Sequence, residues 1–192
     1  MDSQASLRPA NPPAFANEEG DGVVIGDGPV VLDAYVDFQC PYCRMFAEMS
    51  GPVVDALISS GRITAVYHPV AILDAMSTNR YSTRAAAASG CAADGGRFME
   101  YHYALFANQP PEGGPGLTDD ELIALGEPVG LTDSFAACVR DGAHLDWPPY
   151  VTARAYERGV RGTPTILVAG AVVQPYPGPI TTAVTTALSQ AV

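Results

Sequence analysis

Apolar and β-branched residues crowd into residues 30–38, VVLDAYVDF, a run that reads as a mostly buried strand. A shorter apolar run at 23–25 precedes it, set off by the turn Gly26-Asp27-Gly28-Pro29. Beyond the strand, Met45, Phe46, Met49, Val53, Leu57 and Ile58 recur at helical spacing, with Pro41 suited to the first helical position and Gly61 closing the segment. Gly51-Pro52 predicts a kink or break near the middle of that helix. Residues 63–68, ITAVYH, form a second strand stopped by Pro69, so this β-α-β unit predicts two parallel strands with a right-handed crossover.

The pattern then changes, and residues 78–158 carry no convincing strand signal. An alanine-rich stretch spans 79–93, and Phe98, Tyr101, His102 and Leu105 share one helical face. Thr118-Asp119-Asp120-Glu121 is a capping box, Thr132 can cap a segment that puts Phe135, Cys138 and Val139 on one face, and 147–158 opens on Trp147-Pro148-Pro149. Strand character returns at 165–168 and 171–174 across Ala169-Gly170, an antiparallel hairpin, followed by a loop at 175–179 and a helix over 180–191. The fold class is therefore α/β. A central mixed sheet flanked by helices is built from residues 23–77 and 159–192, residues 78–158 form a helical insertion of four or five helices on one side of the sheet, and residues 1–22 form a flexible tail.

Composition narrows the function. Hydrophobic residues make up 47% of the 192 and charged residues 16%, which suits a globular chain. The net charge of −11 argues against nucleic-acid binding. All ten cationic side chains are arginine, which excludes Schiff-base and lysine-base chemistry. No stretch reaches the roughly 18 consecutive apolar residues of a membrane span, and residues 1–22 lack the basic start and apolar run of a signal peptide. The chain reads either as cytosolic or as an exported protein in mature or trimmed form.

Chemistry concentrates at Cys40-Pro41-Tyr42-Cys43, on the strand-to-helix junction. A Cys40 thiolate there faces unpaired backbone N–H groups and the positive end of the helix dipole, which lower a thiol pKa. Cys43, one turn inside, is the deeper, resolving thiol. The competing reading, half a zinc site, needs two more ligands at suitable spacing, and neither Cys91 nor Cys138 belongs to a second close pair. No metal and no cofactor are expected. Cys91 and Cys138 lie on apolar helical faces, as buried free thiols or as a disulfide. Gly162-Thr163-Pro164-Thr165 opens the antiparallel hairpin, whose start can lie at the sheet edge where the parallel strands end, beside Cys40.

Asp37-Phe38-Gln39-Cys40-Pro41-Tyr42-Cys43 and Val160-Arg161-Gly162-Thr163-Pro164-Thr165, separated by a helical insertion, resemble the DsbA-like thiol–disulfide oxidoreductases of the thioredoxin superfamily. The resemblance implies a thioredoxin fold in which Cys40 is the nucleophile, Cys43 resolves, Pro164 is a cis-proline, and Thr163 offers its backbone to an extended substrate peptide. It also implies a structural Cys91–Cys138 disulfide, as in exported actinobacterial relatives, and hence an extracytoplasmic location with a cytoplasmic one as the alternative. The expected activity is a monomeric dithiol oxidase acting on reduced exported proteins and reoxidised by a membrane quinone-linked partner of the DsbB or vitamin-K-epoxide-reductase kind. A reductase or isomerase using the same cysteines is one rival; a non-catalytic peptide-binding or chaperone module is another. Two departures stand out. The family's buried carboxylate position, six residues before Cys40, is Ala34, which leaves Asp37 as a candidate proton acceptor for Cys43. The central dipeptide is Pro-Tyr where the best-known DsbA proteins have Pro-His, so a less extreme thiolate is expected. His68, ending the second strand, is either a proton-handling neighbour of Cys40 or a histidine satisfied locally. His102 reads as core and His144 as loop surface, neither with a carboxylate pattern suggesting a metal.

Overall fold

A computed structural model describes residues 8–190 of the chain. Five strands, β1 (Val23–Ile25), β2 (Val30–Val36), β3 (Ile63–Pro69), β4 (Thr165–Val168) and β5 (Ala171–Val173), form one sheet in the order β1-β3-β2-β4-β5. β2 pairs parallel with β3, and β1 with β3, β2 with β4 and β4 with β5 are antiparallel. The parallel pair is the one that the β-α-β pattern predicts, with α1 (Pro41–Ser59) as its crossover. Between β3 and β4 come α2 (Tyr81–Asp94), α3 (Phe98–Ala107), α4 (Asp119–Ala124), α5 (Asp133–Arg140) and α6 (Trp147–Glu157), and α7 (Pro177–Gln190) closes the chain.

Two helices differ from the sequence expectation. α1 runs unbroken through Pro52, although the ring removes one backbone hydrogen bond. Gly51 beside it serves close packing: a Cβ there would meet the Tyr103 hydroxyl of α3 at 2.8 Å. α7 begins at Pro177, inside the expected loop, because proline at a first helical turn has no N–H to leave unpaired. The capping box at Thr118 and Glu121 forms in full.

The core lies between the sheet and the helices, with Leu32, Val36, Phe38, Ile63, Tyr67 and Ile166 fully or nearly fully buried. α2, whose small residues let helices approach, packs against α3, α5 and α6. His102 is buried among Phe38, Tyr67, Phe98 and Phe106, and burial pushes its pKa down to about 3, so it is a neutral core histidine. Of the expected tail, residues 1–7 fall outside the described residues, and 8–22 are held by specific bonds. Trp147 Nε1 donates to the Gly20 carbonyl at 2.9 Å, the Tyr150 hydroxyl donates to the Glu19 carbonyl at 2.8 Å, and the buried Asp21 carboxylate lies 2.7 Å from Arg158. Alanine, proline and glycine hide this docking from a compositional reading, because the partners that hold the segment lie far along the chain, on α2, β3, α6 and just beyond α6. Among the described residues no helix is long and apolar enough to cross a membrane.

Cys91 of α2 and Cys138 of α5 are joined by a disulfide, with Cα atoms 5.9 Å apart and a sequence separation of 47. Closing a loop of that length removes up to about 4 kcal/mol of chain entropy from the unfolded state. The Cys91→Ala/Cys138→Ala variant is therefore expected to lose stability up to that amount, seen as a lower urea midpoint. Mild reduction followed by alkylation and mass spectrometry should label Cys40 and Cys43 and spare the other pair; labelling of all four cysteines under mild reduction would contradict a buried structural bond.

Candidate active site

β2 ends at Val36, and the chain turns through buried Asp37, Phe38 and Gln39 before α1 starts. The Cys40 N–H donates to the Asp37 carbonyl at 3.0 Å, closing that turn. Cys40 is the helix N-cap with extended backbone (φ −75°, ψ 118°), Pro41 follows as first helical residue, and the first turn carries no acidic side chain. Cys40 makes no side-chain cap hydrogen bond, and the N–H groups of Tyr42 and Cys43 in this first turn help lower its pKa. Cys40 retains 4% of its surface and Cys43 none, whereas Tyr42 is 67% exposed. Neither of the two sulfurs is in a disulfide.

The environment drives the two thiols apart. A hydrogen bond from the Cys43 thiol lowers the Cys40 pKa most. Burial opposes it, and Thr163 and the N–H groups of Cys43 and Tyr42 lower it further, to about 6. Cys43 goes the other way: burial first, then the proton it shares with Cys40, hold its thiol well above the ordinary value. At neutral pH one sulfur is charged and the other keeps the proton that stabilises it.

Thr163 and Pro164 come to this point from the far side of the sequence. β4 pairs with β2 so that Thr165 faces Tyr35, which sets the two preceding residues beside the end of β2. The Thr163–Pro164 peptide bond is cis, and the Thr163 carbonyl accepts from the Cys40 thiol, when protonated, at 3.3 Å. Next to it, Tyr42, Met45, Phe46, Pro164 and Tyr176 line a shallow apolar cavity of about 160 Å³.

A buried polar network supports the turn from below. The Asp37 carboxylate accepts from the Gln39 N–H (2.9 Å), the Leu73 N–H (2.9 Å) and the Ser82 hydroxyl (2.7 Å). Its own N–H points to the Cys43 sulfur at 3.4 Å. Burial raises the Asp37 pKa to about 6, against the lowering effect of those hydrogen bonds. Gln39 donates to the Leu73 carbonyl at 2.6 Å, and Gln109, in the loop after α3, donates to the carbonyls of Phe38 (2.8 Å) and Cys40 (3.0 Å). Ser82, Leu73 and Gln109 are absent from the sequence reading. Only Gln109 carried a faint signal, as a polar residue heading a Pro-rich loop; the other two resemble ordinary helix and turn residues.

His68 is elsewhere. It stacks on Tyr35 with ring centroids 4.2 Å apart, and its ring nitrogens meet the Asp21 carbonyl at 2.7 Å and the Asp33 carboxylate at 3.1 Å. No hydrogen bond links it to the Cys40–Cys43 pair among the described residues. Ala34 is fully buried in the middle of β2, between Tyr67 and Ile166 on its neighbours. His144, expected on the surface, is buried, because the turn after α5 folds back onto Asp94 at the end of α2.

The thioredoxin family model matches residues 18–183. The reduced form of the disulfide bond oxidoreductase DsbG from Mycobacterium tuberculosis is 32% identical, with 87% of each chain covered and a TM-score of 0.77. Oxidised DsbA from the same organism is also 32% identical over 86% of this chain and 99% of that one, with a TM-score of 0.72. The serine/threonine-protein kinase PknE of M. tuberculosis is 33% identical over 134 residues, which are 65% of this chain; the match spans about a quarter, 24%, of the length of that curated relative. The chain belongs to the thioredoxin family, as a DsbA-like thiol–disulfide oxidoreductase with Cys40 and Cys43 as its Cys-x-x-Cys pair.

Proposed function

We propose that the protein is a dithiol oxidase: its Cys40–Cys43 disulfide is passed to reduced proteins outside the cytoplasm. The observation that carries this reading is the place of Cys40, at the N-cap of α1 beside buried Cys43 and Thr163, which lowers its pKa to about 6. A thiolate held by a neighbouring thiol and helix N–H groups stabilises the reduced protein, and a stabilised reduced form makes the disulfide a strong oxidant. The substrate thiolate attacks the Cys40 sulfur, and Cys43 leaves and takes up a proton. A second substrate thiolate then attacks the substrate sulfur of the mixed disulfide, releasing the oxidised product and the Cys40 thiolate. Thr163 and Pro164 frame the position of the incoming peptide, and the apolar cavity beside Tyr42 and Tyr176 accepts its side chains. A quinone-linked membrane protein restores the disulfide, by attack of Cys40 on the partner's disulfide and then of Cys43 on Cys40. That step requires Cys43 to lose its proton, and the buried Asp37 carboxylate, with a pKa near 6, is the acceptor favoured here. His68 has no part in this scheme.

Equilibration with glutathione tests the direction. An oxidase of this kind should have a potential between about −180 and −120 mV, the interval between protein disulfide isomerase and DsbA. A potential below about −230 mV would turn the reading to a reductase.

The iodoacetamide rate of the reduced protein should rise through pH about 6, with peptide mapping placing the label on Cys40. Prior labelling of Cys43 would reverse the assigned roles.

Because folding lowers the Cys40 pKa from 9.0 to about 6, the thiolate's contribution to stability is complete above about pH 9 and is lost as the pH falls through about 6. The reduced protein should therefore gain stability over the oxidised one between those limits, as followed by paired urea titrations.

Asp37→Asn should slow reoxidation by a disulfide partner about 100-fold or more, the low end of what general acid–base groups typically contribute. It should leave Cys40 alkylation at pH 8 nearly unchanged; equal loss in both assays would mean that Asp37 only shapes the turn.

A further inference from the structure

The second cysteine pair has a neighbour that the proposed reaction does not use. His144, in the turn after α5, is only 5% exposed and contributes a ring nitrogen within 4.8 Å of both the Cys91 and Cys138 sulfurs, which themselves lie within that distance of each other. Its Nε2 meets the Asp94 carboxylate at 2.6 Å, while Nδ1 is buried with no hydrogen-bond partner among the described residues. With Nε2–H donating to that carboxylate, the neutral ring carries its lone pair on Nδ1, the arrangement that carboxylate–histidine pairs give metal-binding imidazoles. Asp94 is itself fixed, accepting from the Ala14 N–H at 2.7 Å through its other oxygen. A cavity of about 170 Å³, bordered by both cysteines and His144, adjoins the pair.

In the disulfide form neither sulfur can donate to this nitrogen, and it has no other partner among the described residues. Opening the bond changes that. We propose that Cys91, Cys138 and His144 are a redox-gated metal site, which holds one Zn²⁺ when the disulfide is reduced and releases it when the disulfide forms. A dithiol reductant supplies two electrons and two protons, leaving as its own disulfide. The two thiols then lose their protons to solvent as Zn²⁺ binds two thiolates and the His144 nitrogen. Soft thiolates with an imidazole suit zinc, and three protein ligands with an open fourth position, here facing the cavity, are a known zinc arrangement. From disulfide to site, the sulfurs need only separate to within reach of one ion at about 2.3 Å from each. The site shares no residue with the Cys40–Cys43 pair, so it stands whatever the direction of that reaction.

The test uses the full chain as a Cys40→Ser/Cys43→Ser variant, which removes competing thiols, reduced by a phosphine that becomes its oxide. Zinc uptake is measured against a chromophoric chelator, and Co²⁺ substitution reads out thiolate ligation through charge-transfer absorption. The reduced variant should bind one Zn²⁺ per chain and gain thermal stability with it; the oxidised variant should do neither. His144→Asn should weaken binding by at least tenfold, and Asp94→Asn, which frees the ring without removing a ligand, by about 10- to 100-fold. Absence of stoichiometric zinc binding by the reduced chain, folded or unfolded, overturns the proposal. Equal binding by the oxidised chain, or an affinity indifferent to His144→Asn, overturns it as well.

Discussion

The structure around the active-site turn depends on one asymmetry, a Cys40 thiol drawn down to a pKa of about 6 beside a Cys43 thiol pushed well above its ordinary value. Two thiolates a few ångströms apart in a dehydrated site cannot coexist, so charge on one sulfur requires a proton on the other. Burial alone would raise both pKa values. What selects Cys40 for the charge is its place at the N-cap, where Pro41 contributes no N–H and those of Tyr42 and Cys43 help lower its pKa. Cys43, one turn on, is inside the helix and the core, and its proton is the cheapest way to satisfy both sulfurs. The asymmetry therefore comes from a single turn of backbone and needs no cationic side chain. Tyr42 brings none, and its high exposure leaves it free to meet a substrate.

Such an arrangement holds only if the turn between β2 and α1 is rigid, and three separate parts of the chain restrain it. β4 brings Thr163 to Cys40 across 123 residues through its antiparallel register with β2. The segment after β3 and the first turn of α2 supply Leu73 and Ser82 to the Asp37 carboxylate. The loop after α3 supplies Gln109 to the carbonyls of Phe38 and Cys40. The helical insertion is thus part of the site's foundation, even though it contributes no sulfur to it. Buried carboxylates are costly unless hydrogen-bonded. Asp37 with its three donors is compensated enough to be tolerated, yet sufficiently desolvated to sit near pH 6, where it can change its charge.

Legibility followed the range of the interactions. The β2-α1-β3 unit, the β4–β5 hairpin and the capping box at Thr118 are local patterns, set by side-chain period and turn chemistry, and each was readable from residues next to one another. The Cys40 motif was readable because its chemistry depends on a strand-to-helix junction that the periodicity itself marks. Gln109 and Ser82 were not, since a polar side chain becomes a support only when a distant carbonyl or carboxylate is brought to it. The same holds for residues 8–22, where Pro, Ala and Gly suggest a loose tail but Trp147, Tyr150 and Arg158 supply the bonds that fix it. Ala34 shows the limit of resemblance: the family's acidic position lies in the middle of β2 between Tyr67 and Ile166, and here the buried acid occupies the turn beyond the strand. Of the two readings of His68, the locally satisfied one holds: its place at a strand end left the ring's direction open, and the ring is committed to Tyr35, Asp21 and Asp33.

The two cysteine pairs show how little of sulfur chemistry is decided by the sulfur. Cys40 caps α1 and Cys43 lies in its first turn, so their separation is set by a single turn of one helix. Cys91 and Cys138 lie on different helices, α2 and α5, so opening their bond uncouples two elements that otherwise touch only through packing. The first pair is surrounded by hydrogen-bond donors, which stabilise a thiolate and favour the reduced form. The second is bordered by the His144 imidazole, whose Nδ1 has no hydrogen-bond partner among the described residues. His144, buried and hydrogen-bonded to Asp94, is the polar neighbour that sets the surroundings of the second pair apart from those of the first.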